Sequence, residues 1–501
     1  MVSPRRSPLP LVAQLSELCP PACPFRPRST PIVPIQLPMG HAPNPAEARQ
    51  AATDTVRTLR EAGHEAYFAG GCVRDELLDR HPTDYDVATS ARPEAIRALF
   101  RRTAEVGAAF GVVLVHAGDV TLEVATFRAD GPYTDRRRPD HVEFAEAKAD
   151  AKRRDFTINA LFLDPLVTER TLVRGRVIRG QVVDHVGGLD DLEAGLIRAV
   201  GDPNDRLAED HLRALRAVRF ASRLGFTIDE PTAQAIRAHA SELAGVSRER
   251  IGDELRRMMG DESRALAAWT LQYLGLDAPL LGEHHQDAAP KTLGRLAGSD
   301  GAPPPFATCL AAWAVDRGLI ELTQVAGLVE HWRRALCLSN EERDALKGTL
   351  ITLGTLQRAW NGLTVAQQKR TASGAYFTEA LRLVNAQDPE TMVRLRLHVD
   401  QLAATPSGLQ PTPLLTGDHL IRAGYAPSSD FATVLALVYD AQLEDRLSTP
   451  ELALEMGGAL LRARSAARAA GIDPDDPERE PDPDPGADPD SDLGSGEDPD
   501  R

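Results

Sequence analysis

The sequence is short of the features that mark a secreted or membrane protein. Its five cysteines are odd in number and scattered, so they indicate no disulfide framework. Cys19 and Cys23 have a spacing found in metal sites, but no second ligand pair accompanies them. No uninterrupted run of about 18 apolar residues suggests a membrane span. Prolines also divide the N-terminal segment, where a signal peptide would need an apolar core. These absences favour a reduced, cytoplasmic location without a membrane partner.

Acidic residues outnumber basic ones, but they are concentrated at one end of the chain. The formal net charge is −16, of which residues 472–501 contribute −11 through 13 Asp and Glu against two Arg, so the other residues carry −5. Such an Asp-Pro-rich end cannot bury enough apolar surface to fold. Basic runs occur at 136–138, at 152–154 and among the arginines between 213 and 223. The composition is therefore compatible with an RNA partner.

Strand signals occur only in the first part of the chain, and the rest is helical. In that first part the sequence predicts helices at 46–63 and 93–101 and strands at 65–69, 85–88, 112–116 and 122–127. Beyond about residue 190 helices follow one another, with one long helix expected at 204–224. The fold class is therefore α+β, with a mixed-sheet head flanked by helices and then an all-helical region. We expect a disordered Pro-rich lead at 1–44, a head at 45–190, a helical neck at 191–262, a body at 263–404, a tail at 405–470 and a disordered acidic end at 471–501.

The first motif is a pair of glycines followed by two alternating carboxylates. Gly70 and Gly71 form a turn signal, and Asp84 and Asp86 are separated by Tyr85. On a strand, the two-residue period would direct both carboxylates to one face and Tyr85 to the other. Two such oxygen ligands suit Mg²⁺, which fills its remaining positions with water and phosphate. A lone Asp-x-Asp is also compatible with a solvated turn.

The second motif combines three cations with a carboxylate and an amide in residues 152–160. Cations such as Arg154 can hold triphosphate oxygens, while Asp155 and Asn159 can form hydrogen bonds with ribose hydroxyls. In isolation, the same segment is compatible with a solvated basic turn that Asp155 caps.

The third motif places Glu209, Asp210 and a series of arginines on the helix predicted at 204–224. Asp210 and Arg213 form an i,i+3 pair on adjacent turns. A carboxylate beside a guanidinium presents an acceptor and a donor, which match the base edges of cytosine and adenine but not those of guanine and uracil. Such a pair could select C and A without a template. The alternative is an exposed, salt-bridged helix.

Taken together and in this order, the motifs resemble those of class II CCA-adding tRNA nucleotidyltransferases and bacterial poly(A) polymerases. The resemblance covers roughly residues 48–260. The segments that carry it are Gly70-Gly71-x-Val73-Arg74-Asp75, Asp84-x-Asp86, Arg153-Arg154-Asp155-Phe156-Thr157-Ile158-Asn159-Ala160, Glu209-Asp210-x-x-Arg213-x-x-Arg216-Ala217-x-Arg219-Phe220 and Val246-Ser247-Arg248-Glu249-Arg250-Ile251.

The resemblance implies a nucleotidyltransferase head and a role for each motif residue. Asp84 and Asp86 would bind two Mg²⁺ ions, and Glu123 is a candidate third carboxylate. An RNA 3′-hydroxyl would attack the α-phosphate of CTP or ATP in line, without a side-chain general base. By the same resemblance, Gly71 and Arg74 would contact the triphosphate, and Gly70 would shape the turn. Arg154, Asp155 and Asn159 would contact phosphate and ribose. Asp210 and Arg213 would contact the base edge, and Arg216 and Arg219 would support the nucleotide.

Features outside these motifs favour one member of the family. Residues 123–139 resemble the flexible loop of enzymes able to add the terminal A, and 413–421 with 440–443 resemble the tRNA-binding tail of CCA-adding enzymes. That tail has Pro427-Ser428-Ser429 where the family usually has Pro-Gly-Pro. We expect CCA addition to the 3′ end of tRNA from CTP and ATP, with no protein partner indicated. A-only addition and polyadenylation are the alternatives.

Two readings from other classes also stay open, a non-catalytic RNA-binding protein and a small-molecule nucleotidyltransferase. The first should have lost a metal carboxylate, and the second would not need so long a helical region. Outside the motifs, we expect His284 and His285 on a surface loop rather than in a metal site. The aromatic residues expected in the helical core are Trp269, Tyr273, Trp313 and Trp332.

Overall fold

The computed structural model describes residues 44–82, 84–105, 111–130, 142–168, 170–173, 175–298, 301–319 and 323–470. These residues form two compact units. The first extends to Leu319 and also includes Ala326–Asp344, and the second contains Ile320–Val325 and the residues from Ala345 on. The predictions for the Pro-rich lead up to residue 43, Cys19 and Cys23, the loop at 133–139 and the acidic end at 471–501 fall outside the described residues.

A mixed sheet dominates the first unit. The strands are β1 (Ala66–Ala69), β2 (Asp86–Thr89), β3 (Thr103–Glu105), β4 (Val112–Ala117), β5 (Val120–Thr126), β6 (Arg128–Asp130), β7 (Val142–Phe144), β8 (Phe162–Asp164), β9 (Arg170–Val173), β10 (Arg176–Arg179), β11 (Gln181–Val183), β12 (Leu196–Ile197) and β13 (Thr227–Ile228). Seven of them are ordered β11-β8-β1-β2-β5-β4-β3. In this sheet β2 and β5 run parallel, and the other neighbours are antiparallel. The four strands predicted from the sequence are confirmed within two residues at each end.

The middle of the sheet is buried on both faces. Phe68 of β1 and Val87 of β2 are fully buried on one face, and Ala88 of β2 and Phe162 of β8 are buried on the other, as expected for central strands covered by helices. The parallel contact between β2 and β5 sets the side chains of these two strands in direct register. This register places the start of β2 beside the middle of β5.

Helices flank the sheet and account for most of the described residues beyond it. They are α1 (Pro45–Glu61), α2 (Gly71–Leu77), α3 (Pro93–Leu99), α4 (Ala147–Lys152), α5 (Gly188–Ala194), α6 (Pro203–Glu209), α7 (Leu212–Leu224), α8 (Glu230–Ala238), α9 (Arg248–Met259), α10 (Arg264–Tyr273), α11 (Asp277–Leu281), α12 (Lys291–Arg295), α13 (Phe306–Asp316), α14 (Val325–Leu336), α15 (Asn340–Gly354), α16 (Val365–Ala372), α17 (Phe377–Gln387), α18 (Pro389–Ala403), α19 (Gly417–Arg422), α20 (Asp430–Leu443) and α21 (Pro450–Ala469). Short 3₁₀ helices lie at Thr157–Asn159 and Ala240–Gly245. No helix among the described residues is long and apolar enough to cross a membrane.

The single helix predicted at 204–224 is wrong, because the chain breaks into α6 and α7. Asp210 has an extended backbone, with φ −155° and ψ 101°, and its carboxylate accepts a hydrogen bond from the Leu212 amide at 3.1 Å. A short acidic side chain can satisfy backbone donors in this way and so compete with helix continuation. The break separates Asp210 from the helix that carries the arginines.

The core prediction for the aromatic residues is confirmed at Trp313 and Trp332, which are both fully buried. It is wrong at Tyr273, which is 47% exposed and stacks on Trp269 with ring centroids 5.1 Å apart. Helical spacing cannot distinguish a residue at the edge of the core from one within it.

A buried ion cluster joins the helices around Trp313. The Arg317 side chain is fully buried and donates to Asp277, also fully buried, at 3.1 Å and to Glu283 at 3.0 Å. His285 lies on an exposed loop, as predicted, and its Nδ1 is 2.7 Å from the second oxygen of Asp277. Removing one partner from such a cluster leaves an uncompensated buried charge.

We therefore predict that Arg317→Ala lowers the free energy of unfolding by about 3–5 kcal/mol, because Asp277 stays buried without its cation. Arg334, whose side chain is 77% exposed and pairs with Glu330, is the matched control, and Arg334→Ala should cost less than about 1 kcal/mol. Urea unfolding followed by tryptophan fluorescence measures both losses, since Arg317 lies over the Trp313 ring. Equal losses in the two variants would contradict the prediction.

Candidate active site

Three carboxylates lie together where β2 runs beside β5. Asp86 is the first residue of β2 and the register partner of Glu123 on β5, so both side chains leave the same face of the sheet. Asp84 is exposed and precedes the strand rather than lying on it, whereas Tyr85 is buried and donates to Glu76 at 2.7 Å. Tyr85 is thus buried between two less buried carboxylates, but Asp84 lies outside the strand, so the strand alternation predicted for it does not apply.

Burial and mutual repulsion act together on Asp86. Burial, then the charge of Glu123 and that of Asp84, raise the pKa of Asp86 to about 6, although the charge of Arg154 lowers it. A carboxylate held against such repulsion gains if a divalent cation binds beside it. The donor set is two carboxylates on one face with the charge of Asp84 nearby, and oxygen ligands of this kind fit a hard cation.

Gly70 makes room for an arginine beside the turn. Its backbone has φ +74° and ψ −123°, a conformation that favours glycine, and its amide donates to the Leu161 carbonyl at 3.1 Å. A Cβ at this position would lie 2.9 Å from Nη1 of Arg154. Gly71 begins α2, and a Cβ there would meet only Arg74 at an ordinary 3.8 Å. The glycine requirement is therefore sharpest at Gly70.

Asp150, which the sequence analysis missed, fixes the orientation of Arg154. Its carboxylate accepts from Arg154 at 2.9 Å and from Arg153 at 2.7 Å, and it is almost fully buried. Burial would raise the pKa of Asp150, but the charges of Arg154 and Arg153 hold that pKa below its usual range. Arg154 also donates to the Asn159 carbonyl at 3.1 Å, so its guanidinium is restrained on two sides.

A hydrogen-bonded chain connects the three sequence motifs. Arg74 donates to the Asn159 side-chain oxygen at 2.5 Å, and the Asn159 amide donates to Asp155 at 3.1 Å. The other oxygen of Asp155 accepts from Nε of Arg216 at 2.8 Å. Burial would raise the pKa of Asp155, but Arg216 and the hydrogen bond from Asn159 keep that pKa below its usual range. Asp155 therefore positions Arg216 and Asn159, and its ribose contact stays a prediction.

Two arginines of α7 contact an acidic residue and an aromatic ring to which the sequence analysis assigned no role. Arg219 donates to Glu254 of α9 at 2.6 Å. The Phe220 ring lies under three guanidinium groups, with its centroid 4.3 Å from Arg219, 5.0 Å from Arg74 and 5.4 Å from Arg216. The sequence analysis included Phe220 in the third motif but assigned it no contact. Glu254 could not be predicted, because its partner Arg219 lies 35 residues away in the chain.

The structure does not bring Asp210 and Arg213 together as the helical i,i+3 pair that the sequence predicted. Asp210 pairs with both terminal nitrogens of Arg250, at 3.2 and 2.7 Å. Arg213 pairs with Glu209 and donates to the Arg206 carbonyl at 2.8 Å. The break between α6 and α7 is the reason, since it turns Asp210 toward α9.

These contacts define one site with two chemical halves. The first half is the carboxylate cluster of Asp84, Asp86 and Glu123, which can hold divalent cations. The second half is the set of restrained arginines, which can bind the oxygens of an anion. Arg154 belongs to both halves, because its charge acts on Asp86 while its side chain packs against Gly70.

Two family models match the first unit. Residues 66–198 match the Poly A polymerase head domain, and residues 225–287 match the Probable RNA and SrmB- binding site of polymerase A. The first range contains the carboxylates and Gly70, Arg154, Asp155 and Asn159.

Curated relatives are similar to this chain in sequence beyond the ranges that the family models match. The chain is 33% identical over 409 residues to the CCA-adding enzyme of Levilactobacillus brevis, an alignment that covers 78% of this chain and 98% of that enzyme. It is 46% identical over 215 residues to the CCA-adding enzyme of Lactobacillus helveticus, there covering 42% of this chain and 51% of that enzyme.

Among solved structures, the Bacillus stearothermophilus CCA-adding enzyme in complex with CTP matches with a TM-score of 0.63 and 27% identity. That match covers 84% of this chain and 98% of the other. The likeness therefore extends well beyond the head to most of the helical region. With its carboxylate cluster, its restrained arginines and this shared length, the chain belongs to the family of CCA-adding enzymes.

Proposed function

We propose that this chain is a template-independent RNA nucleotidyltransferase that adds C, C and A from CTP and ATP to the 3′ end of tRNA and releases pyrophosphate. The observation that carries the proposal is the single site in which the carboxylates of β2 and β5 meet the arginine network. Its chemistry combines cation binding with triphosphate binding, which are the two requirements of nucleotidyl transfer. The near-complete coverage of a CCA-adding relative supports the choice of reaction.

The carboxylate cluster is the proposed site for two Mg²⁺ ions, held by Asp84 and Asp86 with Glu123 beside them. When bound, Mg²⁺ would lower the pKa of the attacking 3′-hydroxyl and neutralise charge on the pyrophosphate leaving group. The raised pKa of Asp86 and the all-oxygen donor set support this assignment. The parallel register of β2 and β5 places Asp86 and Glu123 on one face.

The arginine network would bind the incoming nucleotide. Arg154, 19% exposed, and Arg216, 31% exposed, retain accessible guanidinium surface for phosphate oxygens. Arg74 and Arg219 are more deeply buried and stack on Phe220, so their role is to hold the accessible arginines in place. Because Asp150, Asp155 and Glu254 already restrain these side chains, little conformational entropy is lost when a triphosphate binds.

Base selection is proposed for Asp210 and Arg213. In the structure Asp210 pairs with Arg250, and Arg213 pairs with Glu209. A carboxylate has further lone pairs and a guanidinium has further N–H groups, so both side chains can contact a base edge while these pairs restrain them.

We keep the domain division at 190, 262 and 404 and the cytoplasmic location as proposals. A tRNA substrate and the absence of a disulfide framework support the cytoplasm. A-only addition and polyadenylation use the same chemistry and differ in product length. The product pattern of the assay below therefore decides among them.

We predict that the purified protein with Mg²⁺, CTP and ATP extends tRNA ending at the discriminator base by three nucleotides and then stops. Asp86→Asn should reduce incorporation by at least about 100-fold, because it removes a metal ligand. Asp119→Asn, in the exposed turn between β4 and β5, is the matched control and should retain activity. Gel electrophoresis of labelled tRNA reads the product length.

Each result of that assay has a defined meaning. Addition of A only to tRNA ending in CC would indicate A-only activity, and long A tracts would indicate polyadenylation. Full activity of Asp86→Asn would remove the metal assignment. Asp86→Asn should also be at least as stable as the wild type at neutral pH, because it removes a charge that burial and the repulsion of Glu123 disfavour. Thermal unfolding of the variant checks that a loss of activity is not a loss of folding.

We predict that Gly70→Ala abolishes most nucleotide incorporation, whereas Gly63→Ala does not. Both glycines have positive φ, so both substitutions strain the backbone by roughly 1–2 kcal/mol. Only at Gly70 would the new Cβ collide with Arg154, since a Cβ at Gly63 has nothing within 4 Å. Steady-state kinetics and thermal unfolding of both variants separate the two effects. Equal activity losses at equal stability would show that Arg154 is not displaced.

We predict that the Mg²⁺ concentration for half-maximal activity rises as the pH falls through about 6. Protons compete with the metal for Asp86 once the pH is below the pKa of that residue, which is about 6. The Mg²⁺ concentration for half-maximal activity should then rise by up to tenfold per pH unit. This pH dependence near 6 follows from the raised pKa, because an ordinary carboxylate with a pKa of about 4 stays ionised in this range and would show no effect. Glu123→Gln should move the midpoint to lower pH, and an unchanged midpoint would contradict the coupling.

A further inference from the structure

A second cluster of potential metal ligands lies away from the carboxylates of the sheet. Among the described residues, His211, His239 and Glu242 form a group of histidine, cysteine or acidic side chains whose ligand atoms all lie within 4.8 Å of one another. His211 precedes α7, His239 ends α8, and Glu242 belongs to the 3₁₀ helix Ala240–Gly245. The cluster therefore joins three separate elements of the first unit.

Glu242 lies between the two imidazole rings. One of its oxygens is 2.9 Å from Nε2 of His211, and the other is 3.1 Å from Nδ1 of His239. Ligand atoms around a tetrahedral zinc ion with bonds of about 2.0–2.2 Å are roughly 3.3–3.5 Å apart. The two contacts of Glu242 are slightly shorter than these separations, and the three ligand atoms lie within 4.8 Å of one another, so a rearrangement of side chains alone can place them around one ion.

The surroundings of His239 also match a metal ligand. Its other nitrogen, Nε2, is 3.3 Å from the side-chain oxygen of Asn204, and the Asn204 amide is oriented by Asp202 at 3.2 Å. Both ring nitrogens of His239 therefore face oxygen acceptors, whereas a neutral imidazole carries one N–H. A metal ion at Nδ1 resolves this mismatch, because Nε2–H then donates to Asn204 as the second ring nitrogen of a metal-bound histidine does.

We propose that His211, His239 and Glu242 bind a divalent transition-metal ion of the zinc type, with water in the fourth position. Two imidazoles and one carboxylate are a donor set that zinc accepts and that Mg²⁺ does not favour. The His211 side chain is almost fully buried, while His239 and Glu242 are 24% and 40% exposed, so one side of the cluster is open to the ion and to the water ligand.

The position of the cluster gives the ion a structural role. His211 directly follows Asp210, the extended residue at the break between α6 and α7. An ion bound to His211 and to the residues after α8 would fix the backbone at this break. It would thereby also fix the position of the neighbouring Asp210. The proposal does not depend on the assignment of the reaction, since it rests on a separate set of side chains.

Metal content and binding test the proposal directly. Protein treated with chelator is titrated with Zn²⁺ in a large excess of Mg²⁺, which occupies the carboxylate cluster, and binding is followed by calorimetry. The wild type should bind one equivalent, and Co²⁺ in place of Zn²⁺ should give the visible absorption of a four-coordinate site. Zn²⁺ should also raise the melting temperature of the wild type.

Variants then assign the ligands. Asn204→Ala should weaken Zn²⁺ binding by roughly 10–100-fold, and His239→Ala and Glu242→Gln, which remove direct ligands, should weaken it by more than that and abolish the thermal shift. His284→Ala, which removes an exposed histidine, and Asp86→Asn should bind Zn²⁺ as the wild type does. Far-UV circular dichroism confirms that each variant is folded, and Glu242→Gln keeps the size of the side chain.

Two results would overturn the proposal. One is that the wild type binds no Zn²⁺ in excess Mg²⁺. The other is that His239→Ala and Glu242→Gln bind Zn²⁺ with unchanged affinity while folded. If Asp86→Asn alone lost the ion, Zn²⁺ would belong to the carboxylates of β2 and β5. That outcome would reject this site while leaving the proposed reaction intact.

Discussion

The head of this protein is organised around the repulsion between carboxylates on one face of its sheet. Asp86 and Glu123 face each other because β2 and β5 are parallel neighbours in fixed register, and Asp84 adds a third negative charge. Such an arrangement is unfavourable unless cations balance it. Within the protein, the charge of Arg154 acts against this repulsion, and in the proposed function divalent cations would balance the rest.

Unlike the carboxylates, whose charges repel one another, the arginines of the site each have an acidic or polar partner within the protein. Asp150 holds Arg153 and Arg154, Asp155 holds Arg216, and Glu254 holds Arg219. Buried ion pairs of this kind add little net stability, because desolvation offsets much of their attraction. Their value lies in geometry, since the side chains are fixed before a nucleotide arrives. The shared Phe220 ring brings three of these guanidinium groups to one place.

Prediction from sequence succeeded where the signal was local. The four predicted strands follow from short apolar runs, and the glycine at 70 follows from a backbone that other residues disfavour. Prediction failed at Asp210, where a helical pattern continued through a break. Propensity along the helix was outweighed there by the Asp210 cap on Leu212 and by Arg250, which lies 40 residues further along the chain. No spacing rule connects these two residues.

The sequence by itself determined the ligand types, the order of the motifs, and the change from a mixed sheet to helices, because each depends on neighbouring residues and on side-chain periodicity. Only the tertiary structure decided which charges meet. The pairing of Asp86 with Glu123, of Asp155 with Arg216 and of His211 with Glu242 joins residues 31 to 61 positions apart. Such pairings depend on strand order and helix packing, which the sum of many weak contacts fixes and no short segment encodes.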